Sequence, residues 1–87
     1  MRHIYQIKDS LDGNIVYLGS TIDPVRREAS HRQHTETALG GWLAKTPEAL
    51  FSVIGIVEND AKGFKYEHRL IARLKPKFNA NGLTYSK

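Results

Sequence analysis

The chain has 87 residues, 40% of them apolar, and a formal net charge of +4. That length supplies one packed core and not two, so we expect a single domain over residues 1–87 with one site. The excess of Lys and Arg favours a polyanionic partner. Because the sequence contains no cysteine, disulfides and thiolate metal sites are excluded.

The sequence gives no sign of a membrane or export signal. No apolar stretch approaches the roughly 20 residues needed to span a bilayer. The charged start, Met1 to His3, lacks the apolar block of a signal peptide. We therefore expect a soluble protein of the cytoplasm with no membrane partner.

The first part of the chain has the pattern of a β-hairpin. Arg2–Lys8 is rich in β-forming residues such as Ile4 and Tyr5. Residues 12–14, Asp-Gly-Asn, are typical of a turn, and the apolar run at 15–19 follows them. The two segments therefore predict paired antiparallel strands.

Two helices are predicted after the hairpin. Asp23 can cap free backbone N–H groups and Pro24 fits the first helical turn, so a helix should run from Pro24 to about Thr35. A short second helix carrying Trp42 and Leu43 is expected next.

The late part of the chain predicts one more strand and a long helix. Leu50–Val57 is mostly apolar and β-branched, which favours the central and best-buried strand of a sheet. A helix should follow, capped by Asn59 or Asp60 and ended by Pro76, and residues 78–87 should form a loop with a mobile end. The pattern indicates an α+β fold, with a small central three-stranded sheet, antiparallel or mixed, flanked by helices.

Glu67 is the most unusual residue of the predicted last helix. At helical spacing it lies near the middle of an apolar arc, formed by Phe64, Leu70, Ile71 and Leu74. A carboxylate on that side faces inward, and an unpaired buried charge is strongly unfavourable. Glu67 therefore either pairs with an Arg of another helix or takes a metal or acid–base role.

Arg27, His31 and His34 share one stripe of the first predicted helix. Guanidinium binds phosphate oxygens and imidazole moves protons near neutral pH, so the stripe suits phosphoryl chemistry. The same stripe is also consistent with an ordinary solvated helix face. A zinc site at His31 and His34 would need further ligands that the sequence does not supply in a recognisable pattern.

Tyr5 and Tyr17 belong to the two opening strands. Their rings can pack together there and their hydroxyls can reach a cleft. By themselves, two tyrosines on strands indicate only β propensity.

Taken together, these residues resemble the GIY-YIG nuclease superfamily, most closely the catalytic domains of phage intron-encoded homing endonucleases. The resemblance spans nearly the whole chain and rests on Ile4–Tyr5, Tyr17–Leu18–Gly19, Arg27, His31, Glu67 and Asn79 in that order. Two positions depart from the family pattern. His3 stands where the first motif commonly has Gly, and Leu18 replaces the usual Ile or Val of the second.

The resemblance implies a role for each charged group. Glu67 would bind one divalent cation, Mg²⁺ with Mn²⁺ as a substitute, against the scissile phosphate. Arg27 would stabilise the charge of the transition state.

The resemblance also implies roles for the tyrosines and the remaining polar residues. Tyr5 would be the general base to the attacking water, helped by His31, and Tyr17 would position the water or phosphate, although the two tyrosines could exchange roles. A phenol of ordinary pKa is a poor base at neutral pH, so this mechanism requires nearby positive charge. Asn79 would brace the site by hydrogen bonds, and His34 either contacts DNA or is merely exposed.

The expected function is therefore a metal-dependent endonuclease that hydrolyses DNA phosphodiester bonds with little sequence recognition of its own. One set of catalytic groups should cut one strand at a time, so double-strand cleavage needs sequential nicking or a transient homodimer on DNA. Sequence preference would need a separate specificity partner. Two alternatives stay open: a non-catalytic nucleic-acid-binding module of the same fold, and a metal-free structural domain in which Glu67 pairs with Arg27 or Arg69.

Overall fold

The computed structural model describes residues 1–79. They form a three-stranded antiparallel sheet in the order β2-β1-β3, where β1 is Arg2–Lys8, β2 is Ile15–Thr21 and β3 is Leu50–Val57. Three helices accompany this sheet. The predicted α+β fold and the predicted opening hairpin are both confirmed.

The helices begin where their capping residues predict. Helix α1 is Pro24–Gln33, and Asp23 caps it by accepting from the N–H of Arg26 at 3.1 Å. Its last residue is Gln33 and not Thr35, because His34 has left the helical conformation. Helix α2 is Ala38–Lys45 and carries Trp42 and Leu43 as predicted, and Asn59 caps helix α3, Asp60–Leu74.

The register of the hairpin assigns its side chains to two faces of the sheet. Tyr5 lies opposite Gly19, whereas Ile4 lies opposite Ser20. Because side chains alternate along a strand, Gly19 and Ser20 serve opposite faces. Tyr5 bonds to α1 on one face and Ser20 bonds to α3 on the other. The sheet therefore lies between α1, which carries His31, and α3, which carries Glu67.

Strand β3 is an edge strand, so the prediction of a central, best-buried strand was wrong. Its Ile56 side chain is 57% exposed and Ile54 is 40% exposed, whereas Ile4 and Ile7 of β1 are fully buried. The register of β3 against β1 also shifts between Ile4 and Tyr5. A continuous apolar run predicts a strand, but it does not determine how many neighbours that strand has.

Helix α3 buries Glu67 but does not bury the whole arc predicted around it. Phe64 and Leu74, the first and last of these residues along the helix, are 42% and 45% exposed. The helix ends before Pro76, with Lys75 in the left-handed region at φ 47°.

The chain after α3 is more ordered than the predicted loop. Lys77–Asn79 forms a 3-10 turn with Asn79 buried, and the remainder of the predicted loop, residues 80–87, lies outside the described residues. Within residues 1–79 no helix has the length and apolar character needed to cross a membrane.

The core lies between the sheet and helices α1 and α2. It contains Tyr5, Ile7, Val16, Tyr17, Leu39, Leu43 and Ala49, with Trp42, Phe51 and Phe78 packed against its rim. Both tyrosines of the candidate site are therefore core residues as well. Burial holds their rings in fixed positions.

Candidate active site

The Tyr5 hydroxyl and the His31 ring form the centre of the candidate site. Tyr5 lies on β1 and His31 in the last turn of α1, and the phenol oxygen is 2.8 Å from Nε2 of the imidazole. The Tyr17 ring on β2 meets the imidazole edge-on, with ring centroids 5.2 Å apart. The two tyrosine rings are 6.1 Å apart. Three of the residues singled out in the sequence therefore pack together.

The surroundings favour the neutral forms of Tyr5 and His31. Burial and the neighbouring Tyr17 phenol raise the pKa of Tyr5, and the positive charge of Arg27 opposes this rise only in part. Burial lowers the pKa of His31 to about 4, with a further contribution from Arg27. A standing phenolate at Tyr5 is therefore disfavoured. Neutral His31 can instead accept the phenol proton on Nε2 when its own proton is on Nδ1.

Gly19 gives the Tyr5 hydroxyl its room. A Cβ atom at position 19 would lie 2.6 Å from the phenol oxygen and 2.8 Å from the ring carbon that bears it. The Tyr5 side chain is 4% exposed and cannot swing aside without disturbing the core. Gly19 of the second motif is therefore needed because a larger residue there would collide with Tyr5 of the first motif.

Arg27 lines an open groove, and its charge reaches the tyrosine–histidine pair. Within residues 1–79 its guanidinium forms no hydrogen bond, and its charge acts on both Tyr5 and Glu67. Guanidinium binds phosphate oxygens in a bidentate manner, so Arg27 is available for a phosphate. The groove has a volume of about 350 Å³ and is lined by Thr21, Ile22, Asp23, Arg26, Arg27 and Ser30.

Glu67 is buried and forms no ion pair with another residue of the described part, residues 1–79. The residue is 2% exposed, and its Oε1 accepts a hydrogen bond of 2.8 Å from the Ser20 hydroxyl. Burial raises the pKa of the carboxyl group, and the Ser20 hydrogen bond opposes this most strongly. No Lys or Arg within residues 1–79 forms a salt bridge with Glu67, which removes the structural pairing with Arg27 or Arg69.

The donor set around Glu67 fits a hard divalent cation that the substrate helps to bind. Mg²⁺ is commonly held by one or two carboxylates, waters and substrate phosphates and needs no complete protein cage. A buried carboxylate that feels the charge of Arg27, a guanidinium lining an open groove, meets that description. Zinc is a poor fit, because residues 1–79 contain no cluster of three His, Cys, Asp or Glu side chains.

Asn79 and His34 both form hydrogen bonds with backbone groups. Asn79 accepts from the N–H of Leu18 at 2.8 Å and donates to its carbonyl at 3.1 Å, so it caps the outer edge of β2. His34 is exposed, and its Nδ1 lies 2.7 Å from the Ser30 carbonyl oxygen. The two bonds of Asn79 are in accord with a bracing role, and that role, like the DNA contact of His34, stays a prediction.

Ser20 and Arg2 are the residues of this site that the sequence reasoning missed. Ser20 directly follows the motif glycine, and strand alternation alone points it at the face on which α3 packs. Arg2 offers no comparable signal, because its contact with Ser20 spans 18 positions of sequence.

Comparison with known proteins identifies a family and a similar fold. The sequence matches the GIY-YIG catalytic domain over residues 1–81. The fold is similar to the catalytic domain of the homing endonuclease I-TevI, with a TM-score of 0.71 and 23% identity over 91% of this chain and 94% of that one. A mutant catalytic domain of the intron endonuclease I-TevI gives a TM-score of 0.71 and 24% identity over 91% and 90% of the two chains. No curated protein sequence matches the chain.

The fold and the clustered polar groups thus define a nuclease. The chain belongs to the GIY-YIG catalytic domain family, because the match extends over residues 1–81. The resemblance read from the sequence is confirmed. An endonuclease domain of this family implies DNA as its substrate.

Proposed function

We propose that this chain hydrolyses DNA phosphodiester bonds in a reaction that requires a divalent cation, Mg²⁺ or Mn²⁺, and that it has little sequence recognition of its own. The observation that carries the proposal is Glu67, a buried carboxylate that forms no ion pair within residues 1–79 and that lies within electrostatic reach of the unbonded guanidinium of Arg27. Burial of a carboxylate without a counter-charge destabilises the fold, so its presence indicates a bound cation or a functional role.

Substrate binding begins at the phosphate. Arg27 binds a non-bridging oxygen of the scissile phosphate and stabilises the charge that builds up there in the transition state. A divalent cation held by Glu67 would polarise the phosphoryl group as a Lewis acid. The surplus of positive charge on the chain supports contacts with neighbouring phosphates, which carry no sequence information.

The proton of the attacking water is removed through Tyr5 and His31. The phenol oxygen of Tyr5 takes the water proton as it passes its own proton to Nε2 of His31, across the 2.8 Å that separates them. This path needs no standing phenolate, in agreement with the raised pKa of Tyr5. Tyr17 packs against both rings and orients the water or the phosphate.

The direct test of this function is the substitution Glu67→Gln. Supercoiled plasmid is incubated with the protein in Mg²⁺, in Mn²⁺ and in EDTA, and nicked product is measured. Cleavage should require metal, and Glu67→Gln should lower its rate on the order of 100-fold or more, because the metal-binding carboxylate is lost. The amide oxygen still accepts from Ser20, so the melting temperature should change little.

Glu36→Gln is the matched control, because Glu36 is exposed and lies outside the site. Equal cleavage by the two variants, or undiminished cleavage in EDTA, contradicts the proposal. A folded protein that shifts DNA but cuts nothing in either metal supports the binding-module alternative instead.

A further inference from the structure

Glu67 is held by a directed chain of two hydrogen bonds that starts at Arg2. The Nε–H of Arg2 donates to the Ser20 hydroxyl oxygen at 3.1 Å, and that hydroxyl lies 2.8 Å from Oε1 of Glu67. Guanidinium can only donate, so Ser20 must accept the first bond. The single hydroxyl proton of Ser20 is therefore left to donate to Glu67.

Arg2 is itself fixed in place, so the direction of the chain is fixed too. Its second amino group donates to the Ser20 carbonyl at 3.2 Å, and its first pairs with Asp60 at 3.4 Å. The guanidinium lies 4.8 Å from the centre of the Phe64 ring, and the side chain is 15% exposed. Gly63 allows this packing, since a Cβ there would lie 3.1 Å from Cδ of Arg2.

The interposed hydroxyl leaves half of the carboxylate unengaged. A direct pair between arginine and glutamate is often bidentate and occupies both carboxylate oxygens. Here the charge of Arg2 favours the ionised form of Glu67 without touching it, and no hydrogen bond within residues 1–79 ends on Oε2.

We propose that Ser20, oriented by Arg2, is a positioning residue that fixes Oε1 of Glu67 and thereby aims Oε2 at the divalent cation. The inference rests on the proposed function, because it assumes that Glu67 binds the cation. It assigns to Ser20 and Arg2 the role that hydrogen-bonded outer-shell partners have at metal sites, where their loss weakens metal affinity or activity by roughly 10- to 100-fold.

The test compares Ser20→Ala with Ser20→Thr, which keeps the hydroxyl and suits a strand. Binding of Mn²⁺ alone is measured without DNA, from the concentration at which it broadens the ¹³C carboxyl signal of Glu67. Ser20→Ala should need about 10-fold more Mn²⁺ than the unmutated protein. Ser20→Thr should restore binding, whereas Ser20→Val, which has the shape of Thr but no hydroxyl, should bind as weakly as Ser20→Ala; equal binding by the Thr and Val variants would indicate a role limited to filling space.

The same variants are then compared for plasmid nicking. The half-saturating Mn²⁺ concentration of Ser20→Ala should rise by a similar factor, with the KM for DNA unchanged. Ser10→Ala, in the exposed hairpin turn, is the control for removal of a serine hydroxyl. If Ser20→Ala does not fold, Arg2→Met carries the test, because it frees the Ser20 hydroxyl to rotate and should also weaken Mn²⁺ binding.

The outcomes separate this inference from the function on which it rests. An unmutated protein that never cleaves in Mg²⁺ or Mn²⁺ refutes the proposed function. Suppose instead that the unmutated protein cleaves and that folded Ser20→Ala or Arg2→Met binds Mn²⁺ as tightly as the unmutated protein. That result refutes the positioning role alone. Loss of Mn²⁺ binding in Ser20→Thr equal to that in Ser20→Ala also overturns the inference.

Discussion

His31 shows at the scale of one residue how burial sets chemistry. Its ring is packed against both tyrosines and its Nε2 lies 2.8 Å from the Tyr5 oxygen. The same burial that lowers its pKa to about 4 keeps it uncharged at neutral pH, and thus able to accept a proton.

This burial predicts a loss of stability in acid that depends on His31. The folded protein resists protonation of a ring that titrates near 6.5 when unfolded. Its contribution to the free energy of unfolding is therefore complete above about pH 6.5 and is lost as the pH falls towards 4. When the pH is lowered from 7.5 to 4.5, the melting temperature of the unmutated protein should fall further than that of His31→Gln.

His34→Gln is the control for that experiment, because His34 is exposed, and its melting curves should follow those of the unmutated protein. Parallel loss of stability in the unmutated protein and His31→Gln would show that His31 is not held neutral by the fold.

The sheet shows at the scale of an element that strand order decides which apolar side chains stabilise the fold. Ile7 of β1 is fully buried between two neighbouring strands, whereas Ile56 of β3 is 57% exposed. Ile7→Ala should cost about 2–5 kcal/mol of unfolding free energy, since it leaves a cavity. Ile56→Ala should cost less than about 1 kcal/mol.

Urea unfolding of the two variants measures both values. The same residue type is removed from strands of the same sheet, so each variant is the control for the other. Similar losses would mean that β3 is covered in solution, contrary to its edge position.

The sequence predicted those features that depend on neighbours in sequence. The caps at Asp23 and Asn59 bond to residues three positions further along the chain. Helical spacing alone predicted that Glu67 faces inward. The edge position of β3 depends on which strand pairs with which, and composition does not encode that. Arg2 likewise meets Ser20 only after the hairpin has formed.

At the scale of the whole molecule, the chain supplies one set of catalytic groups. Tyr5, Arg27, His31 and Glu67 make up one proposed set, so we expect a single copy to hydrolyse one strand at each encounter. Supercoiled plasmid should therefore pass through nicked circles before it becomes linear. The share of linear product should rise with protein concentration, as two copies meet on one duplex.

A time course on an agarose gel at several protein concentrations measures this order of products. Linear DNA that appears at the lowest concentration without a nicked intermediate would contradict single-strand cleavage by a monomer. Glu67→Gln in the same series removes any contribution of a contaminating nuclease.

The register of the hairpin strands also determines when a site for DNA cleavage exists. Gly19 makes room for Tyr5 on one face of β2, while Ser20 holds Glu67 on the other. A slip of one residue between β1 and β2 would exchange these faces, putting a side chain where the phenol needs space and removing the hydroxyl from the carboxylate. A copy of the chain that is misfolded or only partly folded therefore lacks an assembled site, so that the capacity to break DNA arises only with the correctly paired strands.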